Sequence, residues 1–252
     1  MIAKVWRGAR LDLASHDFDT AVAWYGELFD WSHQVMPTPG DAPAYVFFMK
    51  AEAEVCGVAQ MSDELKARGI PPMWNSYIST EDCDATLAKV TELGGTVTFP
   101  TMEVPGNGRL AFLLDPEEAS VALWQSTNKN SPGLLVNELG GWCWTELMNR
   151  ETDQATAFYS ALVGWEYSDV PMGHVEYKLI KSGGKDAGGM MKMCGPHFEG
   201  IPAYWLVYFS VANCEESCAK VQATGGKVLV PTTEISVGLF SVISDPRGAV
   251  FG

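Results

Sequence analysis

The chain repeats itself, and that restricts it to folds that can be assembled from two copies of one plan. AWYGELFDW (23–31) lies over AFYSALVGW (157–165) at an offset of 134 residues, with the aromatic-Tyr pair and the closing Trp in register. Further matches follow at offsets of 130 to 131: PPMWNSYIST (71–80) on IPAYWLVYFS (201–210), ELGGTVTFPT (92–101) on ATGGKVLVPT (223–232), and LLDPEEASVA (113–122) on VISDPRGAVFG (242–252). Small changes of offset mark insertions in loops.

Each half also carries one plan twice. Phe18, Ala21, Val22, Tyr25, Leu28 and Phe29 recur at helical spacing, with Ser15 the expected N-cap and Asp17 and Asp19 favouring the helix dipole. Asn149, Glu151 and Asp153 repeat that start signal. Strand-like segments surround the helix, ARLDLA before it and AYVFFM and EVCGVAQ after it, which reads as βαβββ. WNSYIS, the helix DCDATLAKVTEL stopped by Gly94 and Gly95, and then TVTFP, RLAFLLD and SVALWQ repeat the plan; YWLVYFS onward does so again, with Gly225 and Gly226 as the stop.

The expected fold class is therefore α+β, with four βαβββ modules at about 5–62, 73–126, 139–193 and 203–252. They pair into an N-terminal domain, 1–130, and a C-terminal domain, 131–252, joined through STNKNSPGLLVNELGG (126–141) with the boundary near residue 131. The last strand of the second half reads as short: it stops at AVFG, before any counterparts of Leu123, Trp124 and Gln125.

Paired βαβββ modules, an aromatic-Tyr helix ending in DW or GW, a mid-domain GG and a late DP turn resemble the vicinal oxygen chelate superfamily of glyoxalase I, bleomycin resistance proteins and extradiol dioxygenases. The resemblance covers both halves, and it is closest to two-domain glyoxalase-like (hydroxylase-like) bacterial members. It implies U-shaped, half-open mixed sheets with a cavity on the concave face. In the enzymes of the family it also implies a divalent metal held by His and Glu from the first and last strands. Carried onto this chain, those positions are Arg10 and Trp144, Asn75 and Leu206, and Ala122 and Gly252. VCGVAQ and GGMMKM add no His or acid. No cofactor is expected on this reading, with a divalent metal as the alternative.

An acid remains in each half. Asp12 and Glu146 stand 134 residues apart, in step with the helices. Residues two apart on a strand share a face, so if Arg10 and Trp144 point into the cavities, Asp12 and Glu146 do too. One reading is structural, a buried carboxylate accepting backbone N–H groups or an arginine, Arg10 or Arg109. The other is functional, a polar anchor or general acid/base in an aromatic pocket. Trp142, Trp144, Tyr77 and Tyr208 are expected on inner strands, and the hydroxyls of Tyr77 and Tyr208 are natural specificity contacts. The expected ligand contacts are Arg10, Asn75, Tyr77, Trp144, Glu146 and Tyr208.

Two functions follow: metal-independent binding of a small, partly apolar molecule, or a metal-dependent lyase, isomerase or dioxygenase working through Asp12 or Glu146. Charge and hydropathy exclude others. With 31 acids against 17 basic residues the net charge is −14, which repels nucleic acid. No run of about 18 apolar residues indicates a membrane span, and the expected location is cytoplasmic, as a monomer or homodimer. The six cysteines form no CxxC pair and read as reduced thiols, and neither Cys214/Cys218 nor Cys194/His197 completes a zinc set. The four histidines, His16, His33, His174 and His197, are expected at helix starts or in loops.

Overall fold

The computed structural model describes residues 10–37, 44–127 and 133–252. The first module is β1 (Leu11–Ser15), α1 (Phe18–Phe29), β2 (Ser32–Met36), β3 (Tyr45–Lys50) and β4 (Ala53–Gln60). Its strand order is β2-β3-β4-β1, antiparallel except where β1 runs parallel to β4. A short helix, α2 (Asp63–Ala67), precedes the second module: β5 (Met73–Ser79), α3 (Cys83–Val90), β6 (Thr96–Val104), β7 (Gly108–Leu114) and β8 (Ser120–Ser126), ordered β5-β8-β7-β6.

The third module is β9 (Trp142–Asn149), α4 (Thr152–Val163), β10 (Glu166–Met172), β11 (Val175–Ser182) and β12 (Lys185–Lys192), ordered β10-β11-β12-β9. The fourth is β13 (Tyr204–Phe209), α5 (Cys214–Ala223), β14 (Lys227–Ile235), β15 (Gly238–Ser244) and β16 (Val250–Phe251), with β14-β15-β16 in order. The protein is thus α+β, four βαβββ modules of mixed parallel and antiparallel pairing, as the repeats require. Gly94 and Gly225, at φ of 89° and 92°, supply the left-handed turns after α3 and α5.

Three local expectations are corrected. Ser15 is not the N-cap of α1: it ends β1, and the cap is Asp17, whose side chain accepts from the Thr20 N–H. β2, SHQVM, carries no strand signal in sequence because it is an exposed edge with nothing to bury, and it places His33 on a strand rather than in a loop. Glu151 occupies the N-cap of α4 without a side-chain bond. The boundary expected near residue 131 lies outside the described residues.

The chain divides into two compact units, one of residues 11–75, 134–143 and 207–252, the other of residues 76–133 and 144–206 together with Arg10. The halves of the sequence are units of repetition, whereas each compact unit draws one module from either half. What joins the modules is the same chain of side chains, used once per unit. In one unit the Trp74 indole donates to the Tyr25 hydroxyl (3.3 Å), which donates to Asp245 Oδ2 (3.2 Å). In the other, Trp205 donates to Tyr159 (3.1 Å) and Tyr159 to Asp115 Oδ2 (3.0 Å). The remaining oxygen of each aspartate holds its own turn: Asp115 Oδ1 accepts from the N–H groups of Glu117 and Ala119, and Asp245 Oδ1 from those of Arg247, Gly248 and Ala249. The aromatic-Tyr helix and the DP turn, read in sequence only as register marks, meet here.

Burial pushes the Asp115 carboxyl up to about 6, against the opposing pull of its N–H and Tyr159 donors. The folded value lies above the unfolded one, so the folded chain holds this proton more tightly. Its stabilising effect is full below about pH 4 and is lost as pH rises through about 6. A ¹³C-carboxyl NMR titration is expected to place the Asp115 midpoint near 6, and Asp115→Asn is expected to remove that segment from the pH dependence of unfolding. A midpoint below pH 4 contradicts it.

Candidate functional site

Glu146 sits on β9 directly opposite Gly189 of β12. Two strands along the sheet, Tyr177 of β11 leans across, and its hydroxyl donates to Glu146 Oε1 at 2.6 Å while accepting from the Trp144 indole N–H at 3.0 Å. Gly189 is what makes this possible, since a Cβ there would lie 2.0 Å from the Tyr177 hydroxyl oxygen. Burial and the Glu146 charge raise the Tyr177 hydroxyl far above the usual phenol range, so it remains protonated and serves as a donor rather than a base. Tyr204 of β13 also feels this carboxylate: burial first, then the Glu146 charge, raises its hydroxyl. Trp144 and Glu146 are both partly exposed.

The repeat reproduces the arrangement in the other compact unit. Asp12 lies opposite Gly57, and Tyr45 of β3 donates to Asp12 Oδ1 at 2.8 Å. A Cβ on Gly57 would fall 1.9 Å from the Tyr45 hydroxyl and 2.2 Å from Asp12 Oδ1. Asp12, however, is only 8% exposed, and its charge adds to burial in holding the Cys56 thiol protonated. Each acid has a tyrosine donor. Arg109, expected as a structural partner, ion-pairs Asp84 at 2.8 Å instead. Tyr45, Tyr177, Gly57 and Gly189 were missed in the sequence although both pairs stand 132 residues apart (45 to 177, 57 to 189).

The remaining predicted contacts build an apolar wall in the second module. Arg10 accepts the Tyr77 N–H through its carbonyl, and its guanidinium carbon stands 4.3 Å from the centroid of the Trp124 ring. Cross-strand register places Phe99, Phe112, Ala122 and Tyr77 in one row, and Met102, Leu110 and Trp124 in the next. The floor is packed, with Tyr77 3% and Trp124 2% exposed, while the lip is open at Phe99, 42%, and Met102, 44%. The Tyr77 ring therefore belongs to the floor, and the accessible contacts are Phe112, Leu110, Phe99 and Met102. Asn75 on β5 and Tyr208 on β13 are partly exposed.

These residues do not fit the divalent metal that the family resemblance implies. At the last-strand position where relatives place a glutamate, Tyr77 pairs with Ala122. At the equivalent position Gly252 lies so close to Tyr208 that a Cβ would meet its ring at 2.1 Å, leaving no room for a longer side chain. Arg10 is a cation and Trp144 an indole. Among the described residues no three His, Cys, Asp or Glu side chains cluster to hold a metal ion, and no helix is long and apolar enough to cross a membrane.

Comparison with known proteins agrees with this architecture. Residues 9–123 match the family described as "Glyoxalase/Bleomycin resistance protein/Dioxygenase superfamily". The chain is 37% identical over 243 residues to "Putative glyoxylase CFP32" of Mycobacterium tuberculosis, covering 96% of this chain and 91% of that one. It is 28% identical to "Anthracycline biosynthesis protein DauV" of Streptomyces sp. strain C5, covering 96% and 90%. Among solved structures, the Mn(II)-bound glyoxalase from Novosphingobium aromaticivorans superposes with a TM-score of 0.60 at 15% identity, over 96% of this chain and 79% of that one. The 2,3-dioxygenase LapB from Pseudomonas sp. KL28 gives 0.60 at 12%, over 96% and 89%, a likeness of fold. The chain belongs to the Glyoxalase/Bleomycin resistance protein/Dioxygenase superfamily.

Proposed function

We propose that this superfamily member binds a small, flat, partly apolar molecule without a divalent metal. The observation that carries the reading is the wall of the second module, where aromatic and aliphatic side chains run in register from a packed floor at Tyr77 and Trp124 to an open lip at Phe99 and Met102. A concave apolar surface with a few polar groups at its edge is how small-molecule sites are built, and Arg10 supplies such a group. The residues at the family's metal positions support metal independence. Relatives named for anthracycline biosynthesis support a flat, polycyclic ligand.

Isothermal titration with an anthracycline and with a hydroxylated naphthoquinone tests this. Saturable binding is expected with or without EDTA, weakened about tenfold or more in a Phe99→Ala, Phe112→Ala double variant. Two outcomes overturn the reading: no saturable binding of either compound, or binding that requires a divalent metal. Stoichiometric manganese or iron, retained by the native chain and lost in Glu146→Gln, would instead favour a metal-dependent lyase, isomerase or dioxygenase.

A further inference from the structure

We propose that the Glu146 site of the third module receives an organic ammonium group, the carboxylate supplying the countercharge and Trp144, Tyr177 and Tyr204 the aromatic surround. The inference rests on the small-molecule reading above and adds the charge of the ligand's second end.

Four observations carry it. Glu146 is a partly exposed carboxylate on a strand whose facing residue, Gly189, offers no side chain to cover it. The Tyr177 hydroxyl has its proton directed at Oε1 and also accepts from Trp144, so phenol, indole and carboxylate are locked together before any ligand arrives. The electrostatic reach of Glu146 to Tyr204 places a third aromatic side chain beside it. Aromatic faces combined with a carboxylate attract a cation through both charge and ring quadrupole, a combination that suits an alkylammonium better than a neutral hydroxyl.

The duplication sharpens the argument. Two residues before the acid, the first half of the chain has a cation of its own, Arg10, whereas the second half has the indole of Trp144. The acid of the first half is buried, and that of the second is open. One copy has kept the carboxylate inside, and the other presents it.

The test compares two probes of nearly equal size, 2-phenylethylammonium and 2-phenylethanol, by ligand-observed NMR and calorimetry on the full chain at pH 7. The ammonium is expected to bind about tenfold more tightly, with the advantage shrinking in 0.5 M salt as charges are screened. Glu146→Gln is expected to remove the preference while leaving the alcohol's affinity in place, and the surface variant Glu234→Gln to retain the preference. If Glu146→Gln loses its fold by circular dichroism, Trp144→Leu decides, with an expected drop of several-fold in ammonium affinity alone. Equal affinity for the two probes, a preference that survives Glu146→Gln, or no binding of either overturns the proposal. Equal affinity leaves the apolar-ligand reading standing; failure of the flat compounds at the second-module wall removes that reading separately.

Discussion

Asp115→Ala is expected to lower the free energy of unfolding by about 3 kcal/mol or more, measured by urea denaturation at pH 7. The substitution strips the acceptor from the Glu117 and Ala119 N–H groups and from the Tyr159 hydroxyl, whose own donor, Trp205, stays in place. A buried donor left unpaired is penalised by about 1–3 kcal/mol, so the turn and the tyrosine together reach the stated size. Tyr159→Phe removes only one hydroxyl and is expected to lose about 1 kcal/mol, because the aspartate keeps its backbone donors. A drop below about 1 kcal/mol for Asp115→Ala would mean that water replaces these partners and that the chain of side chains is not what fastens the two modules of that compact unit.

Adding a single carbon at Gly189 is expected to destabilise the fold by about 3 kcal/mol, and Gly57→Ala by a similar amount. At Gly189 the new Cβ would occupy space 2.0 Å from the Tyr177 hydroxyl oxygen and 2.6 Å from its Cζ, so the ring must leave Glu146. Overpacking of about 1–3 kcal/mol adds to the loss of a charge-assisted hydrogen bond. The nearest collision is with the hydroxyl, which makes a specific check possible: Tyr177→Phe in the Gly189→Ala background is expected to recover about 1 kcal/mol, while the same change in the native chain destabilises. Additive effects in that double-mutant cycle would refute the steric coupling.

The modules were legible in the sequence because repetition reveals a helix, a glycine stop and a turn even where each alone is ambiguous. Asp12 and Glu146 were legible for the same reason, a charged residue recurring in an apolar strand. Their partners were not. Tyr45 and Tyr177 lie on β3 and β11, one aromatic among several in an alternating strand, and their role depends on a diagonal reach over Gly57 and Gly189 that strand periodicity does not encode. The Trp–Tyr–Asp chains were hidden differently: Tyr25 and Asp245 are separated by 220 residues, and each was visible only as a local signal, one for a helix and one for a turn. β2 escaped because an exposed edge strand needs no apolar residues.

The grouping of the modules also bears on the order of events during synthesis. The compact unit that holds residues 11–75 also requires residues 207–252, so its first module leaves the ribosome long before the partner that covers it has been translated. Until then Tyr25 and Trp74 lack Asp245, and a nascent chain carries an unfinished apolar face through most of its elongation. The middle modules, adjacent in sequence, can close first, and the outer pair completes last, which makes the fourth module the step on which release of a fully folded product depends.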